Sequence, residues 1–402
     1  MAKEIKKKNI FKQVDENLVV NSQPKRDVIV KLRNVDVQFG LTKYATKAMK
    51  NVSFNIYRGE VLGLVGESGS GKSTTGNAIM GLLNRRYGSI NVDGTEIKPL
   101  ARQMGSKFRK DFALKAQMIF QDPTNSLNPQ KTVKQIISEG LNNVNLIGVF
   151  SKQYDIFTVT RLSLILKGQE QPSYVAKLNI KNLIEEITNE EFDKVFDIIY
   201  VKAKNELLKF ATPQALKAAT FLDLRKAERE YYLPLNQKPS IKKIKEHMIN
   251  EVIKSVGLSK QILNRYPLEF SGGQQQRISI SRTVVIKPSL IVADEPISAL
   301  DVSIQAQVIN IFNDLKRKLG FTILFIAHDL RMVEYISDRI AVMYKGRILE
   351  IGKAEEITKN PIHPYTKALL ASVPSIDKVN QNLSEVKYDE KIHRYDEENK
   401  PL

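Results

Sequence analysis

The run EVLGLVGESGSGKSTTGNAIMGLL, residues 60–83, constrains this chain more than any other stretch. VLGLV is apolar on both faces, as a strand buried within a parallel sheet is. It leads straight into Gly66–Ser73, which fits G-x-x-x-x-G-K-[ST], and then into a stretch with helical character. Glycines let such a loop curl so that its N–H groups face an anion, and the following helix presents its positive end. In this pattern Lys72 reaches the β- and γ-phosphates of a nucleotide and Ser73 ligates magnesium. A glycine turn that happens to precede a lysine is the alternative, and the flanking strand and helix count against it.

The same strand-then-polar-turn unit recurs. SLIVADEP and FTILFIAHD are buried strands that end on acidic or polar residues. VSIQAQVINIFNDLKRKL, after the first of them, has apolar residues near helical spacing and stops at Gly320. AVMYKGRILEIG reads as a terminal hairpin turning at Lys345-Gly346, while VIVKLRNVDVQF and MKNVSFNI read as alternating strands near the start. The implied fold class is α/β, a parallel sheet carrying a phosphate-binding loop.

Two segments differ in character. Residues 1–27 are polar and basic, which predicts a disordered arm. Residues 143–239 are rich in Lys, Glu, Leu and Ile, and FDKVFDIIYVKAKNELLKF and PQALKAATFLDLRKAEREYY predict amphipathic helices, so this region reads as a helical insertion.

Composition sets outer bounds. The 402 residues, 42% hydrophobic, suffice for about two or three domain-sized units. No apolar run approaches the ~18 residues needed to span a bilayer. The start MAKEIKKKNIFK lacks the pattern of a secretory signal, so the chain is expected to be soluble and able to sit on a membrane protein. With no cysteine there is no disulfide, thiolate metal site or cysteine-held iron–sulfur cluster. The net charge of +18 suits polyanions, but the lysines are scattered and no aromatic residues interleave with them, which favours a solvated basic surface over a nucleic-acid groove.

Several residues beyond the glycine loop are candidates for chemistry. Asp294 and Glu295 end a buried strand, where one can hold magnesium and the other polarise water. His328 ends the next strand, on the side of an open α/β sheet where ligands bind. His247, His363 and His393 have no such context. Gln121, in IFQDP, ends a short apolar stretch and equally suits a surface turn. LEFSGGQQQR, residues 268–277, is on local grounds a serine N-cap before a helix.

Taken in order, GESGSGKS, IFQDP, LEFSGGQQQR, LIVADEP, SALD and AHD resemble the Walker A, Q-loop, signature, Walker B, D-loop and H-loop of ABC-transporter ATPase subunits. The likeness covers roughly residues 28–142 and 245–352. QDPTNSLNP and NPIHPYTKALLASVP are similar to the ATPases of oligopeptide and dipeptide permeases, and SGGQQQRI and ADEPISALDVSIQAQVIN are closer to the F-type than to the D-type subunit.

The resemblance implies an ABC nucleotide-binding domain over 28–352 with an antiparallel β subdomain, a helical subdomain over about 125–285 that contains the insertion, and a C-terminal tail over 353–402. It implies that Gly66, Glu67, Ser68, Gly69, Ser70 and Gly71 form the ATP loop, with Lys72, Ser73 and Thr74 on phosphates and magnesium. It assigns Asp294 to magnesium, Glu295 to the catalytic base, Gln121 to magnesium or the lytic water, and His328 to the γ-phosphate. Ser271, Gly272, Gly273 and Gln274 would face ATP held by another subunit, and Asp301 of the D-loop would join that site. Phe39 is the implied adenine-stacking aromatic and Tyr44 a weaker one, although either suits ordinary packing.

The implied partners are a second ABC ATPase of D-type, two transmembrane permease subunits and an extracellular peptide-binding lipoprotein, with the chain on the cytoplasmic face of the membrane. The implied cofactors are ATP and Mg2+, without the iron–sulfur cluster that related chains often carry. The insertion is longer than the helical subdomain usual in such chains. Three activities remain open at this level: a peptide-importer ATPase, a nucleic-acid-associated ABC ATPase acting in repair or on the ribosome, and a nonhydrolytic scaffolding subunit. Import of dipeptides or nickel is a variant of the first. No coiled coil, zinc cysteine or tandem nucleotide domain supports the second, and intact Glu295 and His328 count against the third.

Overall fold

The computed structural model describes residues 27–40, 45–142, 144–166, 197–233 and 239–372. Nearly all of the basic arm, Tyr44 and residues 373–402 of the tail lie outside them. The chain divides into two compact units, Met1–Ile137 with Val252–Leu402, and Ser138–Glu251.

The first unit contains ten strands among its described residues: β1 (Val28–Phe39), β2 (Thr46–Tyr57), β3 (Val61–Val65), β4 (Tyr87–Val92), β5 (Thr95–Glu96), β6 (Ala116–Ile119), β7 (Leu290–Asp294), β8 (Thr322–Ala327), β9 (Arg339–Tyr344) and β10 (Arg347–Lys353). Four form an antiparallel sheet in the order β2-β1-β4-β5, and six form a second sheet in the order β10-β9-β3-β8-β7-β6. In the larger sheet β9, β3, β8, β7 and β6 run parallel, and β10 closes one edge antiparallel to β9.

All five residues of β3 and all six of β8 are buried, as their unbroken apolar runs require. One core joins the sheets: Phe54 of β2 clusters with Leu64, Val292 and Ile326 of the parallel strands. The hairpin turn falls at Lys345 (φ 43°) and Gly346 (φ 85°), and the helix Val302–Leu319 ends on a left-handed Gly320 (φ 66°). β4 and β5 had no counterpart in the sequence pattern. The first three residues of β4 are exposed, so hydrophobic alternation is present only in its second half.

Register places the site. Val65 of β3 lies beside Ala327 of β8, Asp294 of β7 beside Ile326, and Ile119 of β6 beside Ala293. Four parallel strands therefore end level, and the residues that follow them converge at one edge of the sheet.

The second unit is helical in its described part, with helices Leu146–Ile165 and Pro213–Tyr232. Asp197–Ala203 is π-helical and continues as the α-helix Lys204–Leu208. Thr212 caps Pro213–Tyr232 by accepting from the Ala215 N–H, and Pro213 stands in the first turn, where it forfeits no helical hydrogen bond. The unit has its own core, including Leu162, Ile199, Leu207 and Leu222. Beside it, Arg229 (0% exposed) pairs with buried Asp155 at 2.9 Å, and the Tyr200 hydroxyl donates to the same carboxylate oxygen at 2.8 Å.

Candidate active site

The glycine loop turns through three residues that only glycine adopts without strain: Gly66 (φ 154°), Gly69 (φ 76°) and Gly71 (φ 106°). Space restricts two of them as well. A Cβ on Gly66 would lie 2.0 Å from the Met343 carbonyl oxygen, and one on Gly71 would lie 2.3 Å from that of Ala48.

Lys72 opens the helix Lys72–Ile79 and is 4% exposed. Its ammonium donates to the carbonyls of Gly66 (2.8 Å) and Glu67 (2.9 Å) and stands 4.0 Å from Oε1 of Glu295. Burial draws its pKa below the ordinary lysine value, against the opposing pull of Glu295, Asp294 and Glu67. An ammonium folded back along its own loop is a cation poised for an incoming anion.

Ser73 donates its hydroxyl to Oδ1 of Asp294 at 2.8 Å. Burial raises the Asp294 pKa, the Ser73 hydrogen bond opposes the rise, and neighbouring Glu295 adds to it. Hydroxyl and carboxylate form a hard-oxygen pair that fits magnesium. Among the described residues no group of three or more His, Cys, Asp and Glu forms a metal cage. The Ser73–Asp294 pair alone suits an ion that takes one or two protein oxygens and binds chiefly through substrate phosphates.

Glu295 occupies the left-handed region (φ 45°), and its N–H donates to the Ile326 carbonyl at 3.0 Å. A non-glycine residue there stores strain of order 1–3 kcal/mol, which surrounding structure must hold in place. Its Oε2 accepts from Gln121 Nε2 at 3.5 Å and lies 3.6 Å from Nδ1 of His328. Lys72, Ser73, Gln121, Asp294, Glu295 and His328 thus meet at the level ends of β3, β6, β7 and β8.

Among the described residues, the other expected ones make no side-chain hydrogen bond to that cluster. Ser271 caps the helix Gly272–Val284 in a reciprocal box, accepting from the Gln274 N–H (3.4 Å) while its own N–H donates to Gln274 Oε1 (3.2 Å). Gly273 faces inward, where a Cβ would meet Ile304 at 2.4 Å, whereas at Gly272 it would meet only Leu300 at 3.8 Å. Asp301 precedes the helix Val302–Leu319 and makes no side-chain cap. Ser68 and Gly69 are exposed, and Thr74 is half-buried in the first turn after the loop. Phe39 is 47% exposed at the end of β1.

One contact to the loop was missed from sequence. The Tyr365 hydroxyl accepts from the Glu67 N–H at 3.2 Å. The signal available was the HPYT segment, which gives no hint of what its tyrosine touches.

The pattern of the ABC transporter family matches residues 49–298. The chain belongs to that family. It is an ABC ATPase, and residues 349–397 additionally match the C-terminal region of oligopeptide/dipeptide transporters. The cassette is 41% identical to the oligopeptide transport ATP-binding protein OppF of Streptococcus mutans, over 88% of this chain and 84% of that protein. It is 39% identical to the dipeptide transport ATP-binding protein DppF of Lactococcus lactis, over 90% and 85%. Bacillus subtilis OppF is 37% identical, over 91% and 89%.

Among solved structures, cbiO1 from Clostridium perfringens aligns with a TM-score of 0.53 and 20% identity, covering 83% of this chain and 92% of that one. The ATP-binding cassette MJ0796, in a dimeric post-hydrolysis state bound to ADP and Pi, aligns with a TM-score of 0.50 and 21% identity, covering 81% and 98%. These two likenesses establish the ABC cassette fold.

Proposed function

We propose that this ABC ATPase powers the import of oligopeptides as the F-type subunit of a permease. Its partners are a D-type ATPase, two membrane-spanning permease subunits and an extracellular peptide-binding lipoprotein, and it works on the cytoplasmic face of the membrane. The convergence of Lys72, Ser73, Asp294, Glu295 and His328 carries the ATPase part of this reading. Supporting the peptide part are the oligopeptide/dipeptide C-terminal region and relatives named for oligopeptide transport.

In the proposed reaction the loop from Gly66 to Thr74 cradles the phosphates and Lys72 swings from its own carbonyls to the β- and γ-oxygens. Ser73 and Asp294 are the residues that would hold magnesium, which when bound would supply charge neutralisation to the phosphates. Glu295 accepts a proton from the attacking water as the new oxygen–phosphorus bond forms and the bond from γ-phosphorus to the bridging oxygen breaks, leaving ADP and phosphate. Gln121 and His328, both near Glu295 Oε2, orient the water and the γ-phosphate. Phe39 stacks on adenine.

Ser271, Gly272, Gly273 and Gln274 complete the site on ATP held by the partner subunit, with Asp301 beside them. Closing over ATP turns the permease. Loss of the γ-phosphate weakens the closed state and reopens it, because only a difference in affinity between two states can drive a change between them.

Reconstitution in lipid vesicles tests this reading. ATP turnover that rises with peptide-loaded binding protein supports it. Turnover indifferent to peptide, together with capture of DNA or RNA at physiological salt, contradicts it.

A further inference from the structure

We propose that Tyr365 is a positioning residue for the nucleotide loop, and that through it the C-terminal segment sets the chain's affinity for ATP. The inference rests on the nucleotide reading of Gly66–Ser73 and adds a control over it that lies almost 300 residues away in sequence.

One peptide unit carries the argument. The carbonyl of Gly66 and the N–H of Glu67 belong to the same rigid plane. Lys72 Nζ holds the carbonyl end at 2.8 Å, and the Tyr365 hydroxyl holds the N–H end at 3.2 Å. The plane cannot tilt without breaking one of these bonds, and when Lys72 leaves the carbonyl for a phosphate the phenol still holds the peptide by its N–H end. The Glu67 side chain is exposed, and bulk burial does not hold the peptide from that side.

The phenol is itself well anchored. Tyr365 is 2% exposed, and its ring centroid lies 4.5 Å from that of Tyr344, the last residue of β9. Its backbone N–H donates to Nδ1 of His363 at 3.0 Å. The N–H groups of Ile362 and His363 donate in turn to the two carboxylate oxygens of Glu350 on β10, at 2.8 and 3.1 Å. The β9–β10 hairpin grips the loop a second time through its turn, where the Gly346 N–H donates to the Ser70 carbonyl at 2.8 Å. Residues 67 and 70 of the loop are thus both tied to chain beyond residue 343. Binding energies couple reciprocally, so ATP that settles the loop also settles the HPYT segment.

The test is Tyr365→Phe in the full chain, which keeps the ring and removes the hydroxyl that accepts from the Glu67 N–H. The expected result is a Kd for MgATP raised about 3- to 10-fold, because ATP must then order a loop peptide that one hydrogen bond had held, with nucleotide-free unfolding still cooperative and its midpoint only slightly lowered. Amide exchange at Glu67 in the nucleotide-free chain should quicken, a change that loss of packing elsewhere would not produce. Glu350→Ala, which frees Ile362 and His363 but leaves the phenol, should weaken binding in the same direction and serves if Tyr365→Phe lowers stability. Equal Kd values for wild type and both variants, or a raised Kd without faster exchange at Glu67, overturn the inference alone. A wild-type chain that binds no MgATP overturns the nucleotide reading with it.

Discussion

The hydroxyl of Ser73 donates to Oδ1 of Asp294 at 2.8 Å, joining the first turn of the helix Lys72–Ile79 to the end of β7, 221 residues away in sequence. These two oxygens are the ones that would hold magnesium in the proposed ATP complex. Ser73→Ala should therefore remove most of the gain in ATP affinity that Mg2+ confers while leaving metal-free nucleotide binding near its wild-type value. Titrations with and without EDTA check this. A variant with the full magnesium effect would exclude Ser73 as a ligand.

Glu295→Gln keeps the shape of the side chain and removes its basicity. MgATP binding should survive and turnover in the assembled transporter should fall by about 10²- to 10⁴-fold, the range for a lost general base. Steady-state phosphate release and equilibrium nucleotide binding separate the two effects, and near-normal hydrolysis would reassign the base.

Lys72 is buried with its charge. Its folded-state pKa lies below the ordinary 10.5, so the folded chain binds fewer protons than the unfolded chain between the two values. The penalty is full below the folded pKa and fades as pH rises toward 10.5. Nucleotide-free wild type should accordingly gain stability with pH across that window relative to Lys72→Met, as read by urea unfolding. The same variant should lose the stabilisation of about 2.7 kcal/mol that ligand at 100 times Kd confers.

Arg229 and Asp155 form a pair in the second unit that is buried on both sides. Arg229→Met would strand a buried carboxylate and should destabilise that unit by about 3–5 kcal/mol. Amide exchange in the helix Pro213–Tyr232 reports this directly, and unchanged protection there would contradict it.

Residues that end continuous apolar runs were placed by sequence alone. VLGLV, LIVAD and TILFIA are buried almost throughout, and runs of that kind form parallel strands whose following residues must share one edge. Lys72, Asp294, Glu295 and His328 meet there for that reason. The capping of Gly272–Val284 was equally local, since Ser271 and Gln274 have the spacing of a capping box. Two features were hidden for opposite reasons. β4 begins with three exposed residues and lacks a hydrophobic signature, while Tyr365 reaches Glu67 through a tertiary contact that no local pattern encodes.

The central claim is that a loop remote from Lys72 completes catalysis on a partner's nucleotide. Gly272 allows a clean test, because a Cβ there meets nothing closer than Leu300 at 3.8 Å, whereas one on Gly273 would strike Ile304. The measurement is MgATP binding by the isolated Gly272→Phe chain beside ATP turnover by the transporter assembled with it. The account predicts unchanged binding and turnover lowered by at least about 100-fold, the scale of losing donors to a transition state. Lost binding in the isolated chain, or normal turnover in the assembly, would contradict it.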